Sequence, residues 1–303
     1  MSASTAPAQT LKPLKGVRIL SLALNLPGPA ALMRCRGMGA RCIKLEPPAA
    51  ANALPGASSD PMALYGLQAY QALQQGIKTR IANLKTEAGQ KALHRELARA
   101  DVLLTSFRPA AMNKLGLDWK TLHKRYPQLC MVAIVGAPGA RADEPGHDLT
   151  YMADNDLVTG LELPPTLYAD MGGSLLASEA ILQVRLQQLQ KKKGVRLEVA
   201  LSEAAAFLAL PRAWGLMAPA SMVGGAHAGY GVYACKDGRV ALAALEPHFV
   251  APLAATIGLE DGSVQNMFTP KARAAIAAFM AGKTRKQLDA LATAKDIPLC
   301  TLR

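Results

Sequence analysis

Short apolar runs alternate with helical segments through the first part of the chain. Val17–Leu22 and Arg41–Leu45 are apolar runs, and the segment AALMRCRG between them has the composition of a short helix ending at Gly37. Runs of this length without polar alternation predict strands that are buried on both faces. Because strand, helix and strand follow one another, the pattern predicts a parallel βαβ unit.

The same alternation continues to about residue 210. It predicts strands over Gly76–Leu84, Val102–Ser106, Leu129–Val135 and Val195–Ala200, and helices over Thr86–Ala100, 174–190 and Ser202–Leu210. Open parallel sheets bind ligands in the loops that follow the strands, and Arg108 and Gly136 occupy such loops. A dinucleotide site is rejected, because the first crossover carries no G-x-G-x-x-G pattern.

A different pattern begins after residue 210. Residues 211–229 are rich in Gly, Pro, Ala and Met without a clear period, and predict a linker. An Asp-Gly turn then predicts a hairpin, followed by helices and a last short strand, Ile297–Leu302. We therefore expect a large domain at 1–210, with 1–12 disordered, a small α+β domain at 230–294, and a segment at 295–303 returning to the large domain.

The stretch Gly146–Gly173 concentrates the candidate chemistry. It carries His147 and, just before a predicted helix, Asp170 followed by Gly172 and Gly173. An acid, an imidazole and a helix end opened by glycine suggest proton transfer beside a stabilised oxyanion. The residues also allow a plainer interpretation, since an Asp before a helix is most often an N-cap and a lone loop His is most often structural.

Composition and net charge limit the classes of molecule that the protein is expected to bind. The 303 residues carry a formal net charge of +12, half are hydrophobic, and only 5% are aromatic. A positive field attracts nucleic acid, a membrane surface or a phosphorylated small molecule. Without aromatic-basic interleaving, a basic amphipathic helix or an apolar run of about 18 residues, we expect an anionic small molecule, with no nucleic acid and no membrane as partner.

The cysteines carry no metal or disulfide pattern. Five are scattered along the chain without CxxC or Cys/His spacing: Cys35, Cys42, Cys130, Cys235 and Cys300. Such spacing favours reduced, mostly buried thiols in a cytoplasmic protein and no metal site. The first residues also lack the apolar core of a signal peptide.

Several motifs, in order, resemble those of the family III CoA-transferases, closest to the α-methylacyl-CoA racemase subgroup. They cover about residues 13 to 300, and the ordered set is far more specific than any one of them. The motifs are PLKGVRILSL, CIKLEPP, DVLLTSFRPAAMNKLGL, GHDLTY, LYADMGG and GVYACKDGRVALAALEPHF.

The resemblance implies a fold and a ligand. It implies an α/β fold with a Rossmann-like large domain and a smaller α+β domain, two chains interlaced as a homodimer, and a role in acyl-CoA and lipid metabolism. Coenzyme A is expected as part of the thioester substrate, with no permanently bound cofactor. The residues expected to hold CoA are Lys44, Lys78, Arg80, Arg108, Gly136, Gly172 and Gly173.

The resemblance also implies roles for three residues. In the racemase subgroup, the positions of His147 and Asp170 are two bases on opposite faces of the substrate α-carbon. N–H groups near Gly172 are expected to stabilise the enolate, and Glu246 is expected to be the carboxylate partner of His147. The expected reaction is racemisation of a 2-methylacyl-CoA by a two-base 1,1-proton transfer.

Two alternatives remain open at the level of sequence. The transferase branch of the family uses the position of Asp170 as a nucleophile that forms an acyl anhydride. His147 favours the racemase, because a transferase needs no imidazole there. The sequence ends with PLCTLR, where relatives commonly continue, and this leaves a non-catalytic acyl-CoA-binding paralogue as the third hypothesis.

Overall fold

The computed structural model of the protein describes residues 11–50, 52 and 57–303. The expectation of disorder at 1–12 falls mostly outside this range. The chain divides into two compact units, with the boundary between Ala209 and Leu210. Unit 1 holds a parallel sheet covered by helices on both faces, and unit 2 holds a small antiparallel sheet with helices. The predicted α/β fold class is confirmed.

The sheet of unit 1 contains six strands in the order β3-β2-β1-β4-β5-β6, with every neighbouring pair parallel. This is the Rossmann order, in which the direction of winding reverses between β1 and β4. The strands are β1 (Arg18–Ser21), β2 (Arg41–Glu46), β3 (Lys78–Ile81), β4 (Val102–Thr105), β5 (Cys130–Val135) and β6 (Arg196–Ala200).

Helices connect these strands and bury both faces of the sheet. They are α1 (Pro27–Gly37), α2 (Pro61–Tyr65), α3 (Leu67–Gln74), α4 (Glu87–Leu97), α5 (Pro109–Lys114), α6 (Trp119–Arg125), α7 (Asp148–Ala153), α8 (Tyr168–Lys191) and α9 (Leu201–Ala213). One face packs Ile19, Val132 and Ile181 with α1 and α8, and the other packs Leu20, Leu93 and Leu103 with α4. Burial of these apolar side chains is the main force holding the layers together.

Helix α8 begins earlier than the sequence predicts. It starts at Tyr168, so that Gly172 and Gly173 lie inside it. A Cβ at Gly173 would overlap the side chain of Leu201, and one at Gly172 would lie 3.2 Å from Leu208. The two glycines therefore allow α8 to approach α9 closely.

Unit 2 is built on a three-stranded antiparallel sheet, ordered β7-β8-β9. The predicted hairpin is present as β7 (Tyr230–Cys235) and β8 (Gly238–Ala243). The helices α10 (Pro247–Ile257), α11 (Pro270–Ala281) and α12 (Arg285–Lys295) surround a core that includes Val240, Leu253 and Ile276.

The last strand corrects one expectation. Strand β9 (Leu299–Leu302) pairs antiparallel with β8, Cys300 lying opposite Ala241. The segment 295–303 therefore belongs to the small unit and does not return to the large domain. The free edge of β8 has N–H and C=O groups that need partners, and β9 supplies them.

Candidate active site

A cavity of about 200 Å³ lies at the carboxyl ends of the central strands of unit 1. Leu24 and Asn25 reach it from the loop after β1, Ser106 and Arg108 from the loop after β4, and Gly136 from the end of β5. This is the place where the winding of the sheet reverses, which is where open α/β sheets bind ligands.

The structure brings His147 and Asp170 together on this cavity. His147 is the N-cap residue of α7, and its imidazole is exposed. Thr150 Oγ1 accepts the backbone N–H of His147 at 3.1 Å and donates to its carbonyl at 2.7 Å. The cap thus fixes the backbone of His147 and leaves its ring available to a ligand.

Asp170 lies in the first turn of α8, beyond the N-cap position. Burial, followed by the charge of Asp148, raises the pKa of Asp170 to about 7. The positive end of a helix dipole favours the ionised form of a carboxyl group, but loss of water and a second carboxylate outweigh it here. A carboxyl group with a pKa near neutrality can both accept and return a proton.

Asp148 and Tyr151 support this side of the cavity. Asp148 is buried, and its Oδ1 accepts the backbone N–H of Asp170 at 2.9 Å. Tyr151 lines the cavity; burial first and then Asp170 raise the pKa of its phenol, so it stays protonated. A Cβ at Gly136 or Gly146 would overlap the Tyr151 side chain, so Tyr151 can pack here only because both residues are glycine.

Asn25 also lines the cavity. It has a left-handed backbone, with φ of 64°, although it is not glycine. Its N–H donates to Asp60 Oδ1 at 3.0 Å, while its own Oδ1 is buried and meets no hydrogen-bond partner among the described residues. Strained backbone and an unpaired amide atom beside a cavity are features of ligand-binding positions. Its positive φ has no signature in sequence beyond the Asn itself.

Arg108 and Gly136, both expected to hold CoA, line the cavity, but the other expected cations do not. Lys44 is fully buried, where it pairs with Glu46 at 2.8 Å and with Asp60. Lys78 is exposed and is the first residue of β3. It therefore lies at the amino end of its strand, whereas the cavity lies at the carboxyl ends. Lys44 cannot reach a ligand phosphate, because two carboxylates hold its ammonium inside the fold.

Arg80 and the two glycines also depart from expectation. Arg80 Nη1 pairs with Glu96 at 2.6 Å beside a separate cavity. Gly172 and Gly173 face α9 within α8, where N–H groups bond to carbonyls four residues earlier, so they offer no open backbone to an oxyanion. Glu246 is exposed in unit 2, at the N-cap position of α10.

Two absences concern other kinds of site. Within residues 11–50, 52 and 57–303, no group of three His, Cys, Asp or Glu side chains is placed to hold a metal ion. In the same part of the chain, no helix has both the length and the apolar character needed to cross a bilayer. All five cysteines are free thiols.

Comparison with known sequences gives one family. The sequence model described as CoA-transferase family III matches residues 14–303. The cinnamoyl-CoA:phenyllactate CoA-transferase of Clostridium sporogenes is 35% identical over 52% of this chain and 40% of its own length. A probable fatty acyl-CoA transferase of Mycobacterium tuberculosis is 31% identical over 64% of this chain and 52% of its own length. The matched region thus spans about half the length of these two relatives.

The similar proteins include both kinds of enzyme in the family. The human α-methylacyl-CoA racemase is 25% identical over 90% of this chain and 73% of its own length. A crystal structure of a hypothetical protein from Mycobacterium tuberculosis has a TM-score of 0.77 at 24% identity, covering 97% of this chain and 85% of that one. The structural likeness establishes the fold, and the sequence relatives leave the reaction open between racemisation and CoA transfer.

Proposed function

Because the chain belongs to CoA-transferase family III, we propose that it racemises the α-carbon of a 2-methylacyl-CoA thioester through His147 and Asp170. One observation carries the proposal: both side chains line the same cavity, at the reversal point of the sheet. The raised pKa of Asp170, about 7, supports a role in proton transfer near neutral pH.

The proposed reaction needs only proton movements. One base takes the α-hydrogen as a proton, and the electron pair of the C–H bond moves into the thioester, which becomes an enolate. The conjugate acid of the other base then gives its proton to the opposite face of the α-carbon. In one direction Asp170 starts ionised and His147 protonated, and in the other the two states are reversed, so atoms and charge balance in both.

The enolate oxygen needs hydrogen-bond donors, and the cavity offers candidates other than the glycines of α8. We assign this role to the side-chain amide of Asn25 and to the protonated Tyr151 phenol, which both line the cavity. Donors held in place in a site with little water stabilise a developing negative charge more than water does.

The CoA moiety needs a slot for its adenine and cations for its phosphates. A second cavity, of about 140 Å³, lies at the same edge of the sheet between the ends of β2, β3 and β4, lined by Pro47, Leu84, Phe107 and Leu115. Lys85 lines this second cavity. Arg108, the residue after Phe107, lines the first cavity. We propose that adenine lies in the apolar slot and that Lys85 and Arg108 contact the phosphates.

An interlaced homodimer is part of the proposal. Met171, Leu175, Phe207 and Leu208 leave at least two fifths of their surface exposed on α8 and α9, next to Asp170. Exposed apolar side chains in such numbers favour a protein partner. Light scattering at micromolar concentration tests the dimer, and a monodisperse monomer would contradict it.

Deuterium exchange tests the proposed reaction. Each enantiomer of 2-methylacyl-CoA, incubated with the protein in deuterated water, should gain one deuterium at the α-carbon and lose optical purity. The matched control is a thioester with no α-hydrogen, which should gain none. Absence of exchange across a panel of acyl chain lengths, by a protein that binds CoA, would refute the proposal and favour a non-catalytic acyl-CoA-binding role.

CoA transfer through Asp170 is the second candidate, and similar proteins that are CoA-transferases, including the two described above, favour it. In that reaction a carboxylate oxygen of Asp170 attacks the thioester carbon, CoA thiolate leaves, and an aspartyl anhydride forms. Hydroxylamine added during turnover would convert this anhydride to a hydroxamate, detectable by mass spectrometry on the peptide carrying Asp170. Trapping there with no α-deuteration would select transfer over racemisation.

A further inference from the structure

A separate cavity of about 240 Å³ lies on the α4 face of the parallel sheet, near the amino ends of its strands. Arg18 and Arg41 begin β1 and β2 and are paired in register. Arg80 of β3 and Arg99, just after α4, complete a ring of four guanidinium groups. The catalytic proposal uses none of them, because its cavity is at the opposite edge of the sheet.

The charge of this ring is poorly balanced by the protein. Glu96 is the single acid lining the cavity, and it pairs with Arg80 at 2.6 Å. Four cations and one anion leave a local excess of three positive charges. Nowhere in the described part of the chain does a carboxylate lie within 4 Å of the guanidinium of Arg18, Arg41 or Arg99.

Asp101, the acidic residue nearest to this ring in the sequence, already has other partners. Asp101 Oδ2 accepts the backbone N–H of Arg18 at 2.8 Å, and its Oδ1 pairs with Arg185 at 3.1 Å. Arg18 and Arg41 stand on neighbouring strands, which lie only about 4.8 Å apart in a sheet. Like charges held side by side repel, and an anion between them would remove that repulsion.

The lining of the cavity defines the chemistry of the anion. Guanidinium groups bind phosphate oxygens through paired N–H donors, and several arginines around one space favour a group with more than one negative charge. Leu20 and Ile43 line the same space and offer an apolar surface to the body of an organic phosphate.

We propose that this ring of four arginines is a binding site for a phosphate-bearing small molecule, separate from the thioester site. It accepts a di- or trianionic phosphate between Arg18, Arg41 and Arg99, with Arg80 held in position by Glu96. A phosphomonoester and a pyrophosphate share this chemistry, and inorganic phosphate and inorganic pyrophosphate are the probes that distinguish them.

The experiment is calorimetric titration of the intact protein with each probe. Pyrophosphate should bind with a stoichiometry of one per chain, and the double variant Arg18→Gln/Arg41→Gln should lose at least about tenfold in affinity, since charged hydrogen bonds are lost. The control Arg95→Gln/Lys124→Gln removes the same charge from exposed positions and should change affinity less than about twofold. Equal losses in both double variants, or no saturable binding to the unaltered protein, would overturn the site.

Two further arms separate this site from the thioester cavity and from a folding defect. The variant Arg108→Gln should leave pyrophosphate affinity unchanged; a loss equal to that of Arg18→Gln/Arg41→Gln would place the probe in the thioester site and overturn the proposal. Should the double variant fail to show a cooperative thermal transition, Arg99→Gln, which alters a connecting loop, takes its place with the same expected direction of change.

Discussion

The Oδ1 atom of Asp148 accepts the backbone N–H of Asp170 at 2.9 Å, across 22 residues of sequence. Asp148 directly follows His147 and is the first residue of α7, while Asp170 lies in the first turn of α8. One hydrogen bond therefore ties the backbone beside one proposed base to the backbone of the other. The charge of Asp148 also contributes to raising the pKa of Asp170.

The pH profile of exchange should follow this pair. Exchange of the enantiomer whose hydrogen faces Asp170 should rise with pH through about 7, since the base works when ionised. Asp148→Asn keeps an acceptor for the Asp170 N–H and removes the charge, so the midpoint should move to lower pH. It should stay above the ordinary 3.8, because burial is the larger cause. A midpoint that does not move in Asp148→Asn would contradict the electrostatic coupling.

Asp170→Asn should stabilise the protein at neutral and alkaline pH. A carboxyl group whose pKa is raised from 3.8 to about 7 costs nothing below the lower value and destabilises increasingly up to the higher one. The advantage of the variant in free energy of unfolding should grow from about pH 4 and level off above about pH 7, reaching at most about 4 kcal/mol, since one pKa unit is about 1.4 kcal/mol. Urea unfolding of both proteins across this range measures it, and a pH-independent difference would argue against the raised pKa.

Each of the two proposed bases, His147 and Asp170, should exchange the α-hydrogen of a different enantiomer of the substrate. Asp170→Ala should abolish deuterium exchange for one enantiomer and leave it for the other, and His147→Ala should do the reverse. Racemisation should fall by about 10²–10⁴-fold in each variant, because it needs a base on both faces. Chiral analysis of the recovered thioester provides the measurement. Racemisation at the unaltered rate in Asp170→Ala would eliminate the two-base mechanism.

Lys44→Met should destabilise the fold. It leaves Glu46 and Asp60 buried without their cation, which costs about 3–5 kcal/mol. The same substitution at exposed Lys78 is the control and should change stability by less than about 0.5 kcal/mol. Chemical denaturation reports both, and an equal small effect in the two variants would mean that Lys44 is not held as described.

Gly136→Ala should disturb the packing of Tyr151 against the backbone at position 136. The added Cβ overlaps the Tyr151 hydroxyl, and such overpacking costs about 1–3 kcal/mol. Tyr151→Phe in the same chain removes the closest atom and should recover part of the loss, with Tyr151→Phe alone as the control. Thermal unfolding of the three variants tests this, and additive losses in the double variant would show that the contact is not the cause.

Local pattern predicted the elements of this protein closely. The strands of unit 1 and the hairpin of unit 2 lie within a few residues of the predicted runs, because a buried parallel strand is a continuous apolar run and an Asp-Gly turn is a local signal. The start of α8 was missed, since Gly172 and Gly173 weaken a helix by intrinsic propensity. Their close packing against α9 overrides that propensity.

The sequence by itself determined the family, the alternation of strands and helices, and the identity of His147 and Asp170 as candidate bases. Only the tertiary structure decided which polar side chains meet. Asn25, Arg108, Tyr151 and Asp170 come from different elements, and they share one cavity because the loops of a parallel sheet converge at its carboxyl edge. From the sequence alone, Lys44 was as good a candidate for binding a phosphate as the other expected cations. Its role was settled by Asp60, 16 residues away, because a buried ammonium must find an opposite charge wherever the fold supplies one.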